Sequence, residues 1–139
     1  MKARELMIGD LVYIDDPILE PNFPVRVYSV QTDGYTGPGA SFLMEDDEDR
    51  EAQYNENRIH PIPLTFRILE RNGWRRRQLS GVDAAVFSER GTHMVVWLEW
   101  REVNKTLFIG DGLLPAPVEY VHQLQHIMRA CGIEKEIEL

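Results

Sequence analysis

Cysteine is almost absent from this 139-residue chain: Cys131 stands alone, so neither an internal disulfide nor a cysteine-rich zinc site can form. Any apolar run long enough to cross a bilayer is missing as well. The opening Met1-Lys2-Ala3-Arg4-Glu5 leads into too few apolar residues before Gly9-Asp10 to make the core of a signal peptide, and the expectation is a soluble, cytoplasmic protein. No serine, cysteine or lysine has an identifiable neighbouring base, and no carboxylate pair sits where its two pKa values would be driven apart. The chain is therefore expected to be non-enzymatic and to carry no cofactor. Internal repeats and low-complexity tracts are lacking. Positive charge is in short supply, with 15 Lys and Arg against 23 Asp and Glu, a net −8. The deficit is local: residues 1–62 hold five cations and thirteen anions (5 − 13 = −8), whereas residues 63–139 hold ten of each. Phosphate binding needs clustered cations that displace counterions, so the first half is a poor nucleic-acid surface.

What is present suffices for a core, since 43% of the residues are apolar and three are Trp. The strongest local signal runs from Pro117 to Gly132, with a proline to open a helix and a glycine to close it. Val121, Leu124, Met128 and Cys131 recur there at three- and four-residue steps beside Val118 and Ile127, a stripe that needs a covering layer. His122, Gln125 and Arg129 then fall on the solvated edge, and Cys131 is core filler.

Upstream the pattern is of short strands. Leu11 to Ile14 follows a Gly9-Asp10 turn, Val25 to Val30 alternates apolar with polar and puts Tyr28 outside, Ser41 to Met44 is a third strand, and Arg58 to Ile62 a last extended piece. Between the last two, Glu45 to Glu51 is a charged excursion, expected to be a solvated loop and not a calcium site. Such spacing points to a small antiparallel SH3-like β-barrel over residues 1–62. His60-Pro61-Ile62-Pro63-Leu64-Thr65 forms a stiff junction, and Thr65 offers a cap to a short helix, Phe66 to Asn72, that buries Phe66, Ile68 and Leu69 and ends at Gly73. Strands at Val82–Ser88, Thr92–Trp100 and Lys105–Ile109 then predict a three-stranded antiparallel meander with the C-terminal helix across one face. Ile133 to Leu139 is a charged tail expected to add an edge strand or fray. The fold class is α+β, with an SH3-like module at 1–62 and an α+β module at 63–139.

Three clusters carry candidate chemistry. His122 and His126 lie four apart, with Glu119 one turn earlier, so their rings can converge on a metal; Gln123 stands where a zinc protease keeps its general base, and only His60 and His93 remain to complete a site. No metal is expected. Trp74-Arg75-Arg76-Arg77 is the one basic cluster, suited to gripping phosphate or to meeting the chain's own acidic loop, Glu45 to Glu51, within the molecule or in a second copy. Trp97 and Trp100, three apart on a strand, face opposite sides, and Trp100 joins Trp74, Arg75, Arg76 and Arg77 as the candidate interaction surface.

At Ile62-Pro63-Leu64-Thr65, Ile68-Leu69-Glu70-Arg71-Asn72-Gly73-Trp74 and Tyr120-Val121-His122-Gln123-Leu124-Gln125 the chain resembles a family of uncharacterised proteins encoded in gut Bacteroidales genomes and in their phages and mobile elements. The opening Glu5-Leu6 through Gly9-Asp10-Leu11-Val12 is similar too, so the likeness spans nearly the whole length. Two positions depart from the family pattern: Phe66 stands where a helix-starting proline is common, and Trp74 where phenylalanine is usual. The resemblance implies no catalytic role for Tyr120, His122 or Gln123. The expected function is protein interaction or assembly, with a protein partner or a second copy and no membrane; the alternative is a nucleic-acid accessory protein using Arg75 to Arg77.

Overall fold

A computed structural model of the chain describes residues 1–32, 37–43, 51–90, 95–110, 112–114 and 116–139. Glu45 to Arg50 and His93 thus lie outside the described residues. The chain divides into two units, Met1–Ile62 and Pro63–Leu139, and is α+β with two antiparallel five-stranded sheets and two α-helices. Among the described residues no helix is long and apolar enough to cross a membrane.

In the first unit β1 (Leu11–Ile14), β2 (Phe23–Gln31), β3 (Gly39–Leu43), β4 (Glu51–Asn55) and β5 (Ile59–Pro61) lie in the order β4-β3-β2-β1-β5. Period-two patterning places their side chains: Val25 and Val27 are buried while Arg26 and Tyr28 are exposed. The buried set joins Leu6, Val12, Ile14, Ala40, Phe42 and Ile59 in one core. Strand β2 shifts register between Val27 and Ser29, so its first half pairs with β1 and its second with β3. Such a bulge bends a strand. The outer strands, β4 and β5, do not pair with each other among the described residues, and the sheet is open rather than a closed barrel. At Gly39 a Cβ would fall onto the Tyr54 carbonyl, so the close approach of β3 to β4 requires glycine.

A side-chain tie fixes the loop after β1. Tyr54 on β4 donates its hydroxyl to Asp16 at 2.8 Å, and Asp16 also accepts from the Ile18 amide at 2.8 Å. The Ile18 amide, then the Tyr54 hydroxyl, hold the Asp16 carboxyl below its ordinary range; burial, then Asp16 itself, pushes Tyr54 up to about 12. For Asp16 the folded pKa is depressed, so its contribution is present above the ordinary aspartate value and fades as pH falls through the folded one. For Tyr54 the folded pKa is raised, so its contribution is full below pH 10 and fades toward 12. Tyr54→Phe is expected to delete the most alkaline phase of the tyrosine absorbance titration while only narrowing the acid window, because Ile18 still serves Asp16. A titration unchanged by the substitution would refute the tie.

In the second unit α1 (Phe66–Arg71) leads into β6 (Arg75–Leu79), β7 (Val82–Arg90), β8 (Val95–Arg101), β9 (Thr106–Ile109), β10 (Gly112–Leu113) and α2 (Val121–Ala130), in sheet order β10-β9-β8-β7-β6. The expected three strands are the centre of a five-stranded sheet. Strand β6 has no apolar alternation of its own; it exists because Ser80 and Gly81, at φ 52° and 76°, close a two-residue turn that folds it back on β7 with Leu79 opposite Val82. Thr65 caps α1 by accepting from the Ile68 amide at 3.3 Å.

Helix α2 begins at Val121, not at Pro117. The residues between are spent sideways: Val118 donates to the Lys105 carbonyl at 2.7 Å, Glu119 accepts from Leu64 at 2.8 Å, and Tyr120 bridges Pro63. Gln123 reaches back to accept from the Glu119 and Tyr120 amides at 2.8 and 3.1 Å, which gives it a capping role. Val121, Leu124 and Met128 are buried, and Gly132 at φ 76° ends the helix with Ile133 donating to Met128. The tail beyond neither frays nor joins the sheet. Ile133 and Ile137 are buried, and Asn72 receives the tail by donating to the Glu138 carbonyl at 2.7 Å and accepting from its amide at 2.8 Å.

Candidate interaction surface

The register of the second sheet assigns every side chain to a face. Trp74, one residue before β6, packs against Phe87 at a tilt with ring centroids 5.4 Å apart. Ala85, Phe87, Leu98, Trp100 and Leu107 are buried on that same face. Helix α1 and the segment leading into α2 lie over it: the Phe66 ring of α1 meets Trp100 edge-on at 5.4 Å, and the Trp100 indole donates to the Val118 carbonyl at 2.9 Å. Trp74 and Trp100 are 3% and 0% exposed, and the contact surface expected at these two indoles is corrected accordingly. Both are core because their parity points them at the helices.

The arginine triplet is split by the same parity. Arg76 turns to the helix side, where its guanidinium lies 4.3 Å from the Phe66 ring centre and 3.6 Å from an Asp83 oxygen. That ion pair is half-exposed and contributes little. Arg75 and Arg77 turn to the other face and are exposed. Neither makes an ion pair with a described residue.

On this second face two cross-strand rows stand side by side, with strands about 4.8 Å apart. One runs Arg75, Val86, Glu99, Phe108, Leu113; the other Arg77, Ala84, Arg101, Thr106. Trp97 lies one step along β8 from Glu99 on the same side and is 36% exposed, and Leu113 is 57% exposed. Arg101 bonds Glu99 at 2.7 Å and lays its guanidinium over Phe108 at 4.5 Å. Its charge is thereby matched within the face, so among the described residues of this face Arg75 and Arg77 are the cations without an ion pair. Trp97, Phe108, Leu113 and Arg101 were missed from sequence because their membership depends on register; only the three-residue step from Trp97 to Trp100 signalled that one indole faces away.

The histidine pair is packed differently from the solvated edge expected of it. His122 and Gln125 are each 6% exposed, Tyr120 stacks on His122 at 6.0 Å, and His126 meets His122 edge-on at 5.7 Å. Among the described residues no three His, Cys, Asp or Glu side chains are placed to hold a metal ion. Burial pushes the half-buried Cys131 thiol up, away from nucleophilic chemistry. In the first unit an open cleft of about 400 Å³ is lined by Lys2, Ala3, Arg4, Thr32, Pro38 and Glu56, where Lys2 is paired with Glu56 at 2.9 Å.

No protein-family model, characterised protein or solved structure matches this chain.

Proposed function

We propose that the chain is a non-enzymatic protein-interaction or assembly module, of the phage and mobile-element type that the resemblance implies, acting in the cytoplasm. Its contact surface is the helix-free face of the second sheet. The observation that carries this is that Trp97, Phe108 and Leu113, on β8 to β10, lie on the same side of one sheet as Arg75 and Arg77 on β6, an apolar stretch with cations at the far edge of the same face. The first unit is part of the same proposal as an SH3-like module. Support for that comes from its strand order, from the 3-10 turn Glu56–Arg58 between β4 and β5, and from the register shift that lets β2 serve two halves of a curled sheet.

The test is capture by the immobilised full chain from host extract, run beside Trp97→Ser with Leu113→Ser. The expected result is a retained protein that the double variant, folded by circular dichroism, releases by about tenfold or more. Retention indifferent to both substitutions, or no retention at all, removes the reading. The alternative, a nucleic-acid accessory protein using Arg75 to Arg77, draws support from the aromatic and guanidinium groups sharing that face. It is the weaker reading, because Arg76 points away and only Arg75 and Arg77 of the triplet share that face, too few cations to grip a phosphate backbone.

A further inference from the structure

Among the described residues β6 pairs only with β7, and what its outer edge, beside Arg75 and Arg77, can accept is more specific than an apolar patch. Arg75, Arg76, Arg77 and Gln78 are all exposed, and β6 pairs with β7 from Arg75 to Leu79 without a bulge. Alternate residues of such a strand aim their N–H and C=O groups away from the sheet, a ready template for another strand. The edge is defended by charge. Two copies meeting β6 to β6 would set arginine against arginine, which opposes self-pairing, whereas a strand bearing carboxylates is drawn in.

We propose that β6 is a strand-addition site for an extended acidic segment of a partner protein, with carboxylates at every second residue. This rests on the interaction-module reading and names the partner's chemistry. Arg75 and Arg77 are two residues apart and share a face, so they match carboxylates at positions i and i+2 of an added strand. Arg76 turns to the opposite side over the buried Phe66 ring, with the Asp83 carboxylate 3.6 Å away, so a carboxylate arriving on that side meets an acidic neighbour as well as the guanidinium. A blocky acidic run would waste half its charge there. A nucleic-acid strand gains nothing from a β-edge and finds only two arginines on that side of β6, too few to displace many counterions.

The test is fluorescence anisotropy on the full chain with a labelled peptide alternating Glu and Thr, a peptide of the same composition with the Glu in one block, two versions of the first N-methylated on alternate residues in opposite registers, and a ten-nucleotide oligothymidine. The alternating peptide is expected to bind about tenfold more tightly than the blocky one. One N-methyl register should abolish binding and the other retain it, since only one places its methyl groups in the ladder. Arg75→Glu with Arg77→Glu should lose binding about tenfold or more, and Arg75→Lys with Arg77→Lys should keep most of it. Equal binding of both N-methylated peptides would overturn strand addition in favour of charge alone, and tighter binding of oligothymidine would overturn it in favour of nucleic acid. Failure of every peptide sinks this proposal only; the Trp97 and Leu113 capture assay decides the interaction-module reading separately.

Discussion

Truncating Trp100 to alanine is expected to destabilise the second unit by about 3–5 kcal/mol, the range for deleting a large buried aromatic. The indole is fully buried, its edge-on contact joins it to Phe66 of α1, and its N–H reaches the Val118 carbonyl at 2.9 Å. Lys105 lies over the ring with Nζ 5.1 Å from the centre. One side chain thus links sheet, first helix and the approach to the second. A domain of this size is ordinarily stable by only about 5–15 kcal/mol, so the variant should leave the second unit near its threshold. Urea unfolding followed by near-ultraviolet circular dichroism reads this directly. Trp100→Phe keeps most of the volume and orphans the Val118 carbonyl, and about 1–3 kcal/mol is expected from that alone. An alanine variant that loses less than the phenylalanine variant is expected to lose would contradict the linking role.

Asn72→Ala is expected to release residues 133–139 at a cost of about 2–3 kcal/mol. The Asn72 amide is 3% exposed and makes three bonds: to the Ile68 carbonyl at 2.7 Å, to the Glu138 carbonyl at 2.7 Å, and from the Glu138 amide at 2.8 Å. Lys135 donates to the Asn72 carbonyl and Arg71 to that of Leu139. Without the amide, the tail either stays docked with orphaned groups on Glu138 or leaves and exposes Ile133 and Ile137. The cheaper route sets the loss. Amide exchange in residues 134–139 should accelerate roughly a hundredfold, with β1 to β5 unaffected. Asn72→Asp keeps the acceptor for the Glu138 amide but loses the donor, so an intermediate effect is expected. Unchanged exchange in the tail would show that the amide does not hold it.

The apolar stripe of α2 was legible because Val121, Leu124 and Met128 repeat at helical spacing, and so was the alternation of β2. Strands β4 and β6 were not. Glu51-Ala52-Gln53-Tyr54-Asn55 and Arg75-Arg76-Arg77-Gln78 carry almost no apolar periodicity, and both are edge strands whose existence depends on a neighbour's ladder. The start of α2 was misplaced because Pro117 is a sound helix opener in isolation, while Val118 and Glu119 are engaged by Lys105 and Leu64, distant in sequence. The candidate surface suffered the same blindness: which of two tryptophans faces inward was settled by a carbonyl at Val118, eighteen residues from the indole that uses it. For His122 and Gln125 polarity is a poor guide to exposure: both are buried, and the His122 ring stacks on Tyr120 and meets His126 edge-on.

The docking of Ile137 and Glu138 onto the end of α1 bears on how the polypeptide is made. A ribosome delivers Asn72 long before the segment that seals it, so Pro63–Leu139 spends most of its synthesis with a donor, an acceptor and a greasy seat waiting. Met1–Ile62, whose last strand ends at Pro61, has every piece in hand by the time the second unit starts to emerge. Nascent chains stalled just short of residue 133 should therefore hold a finished first unit and an unfinished second one, and that interval is when a chaperone would find the molecule.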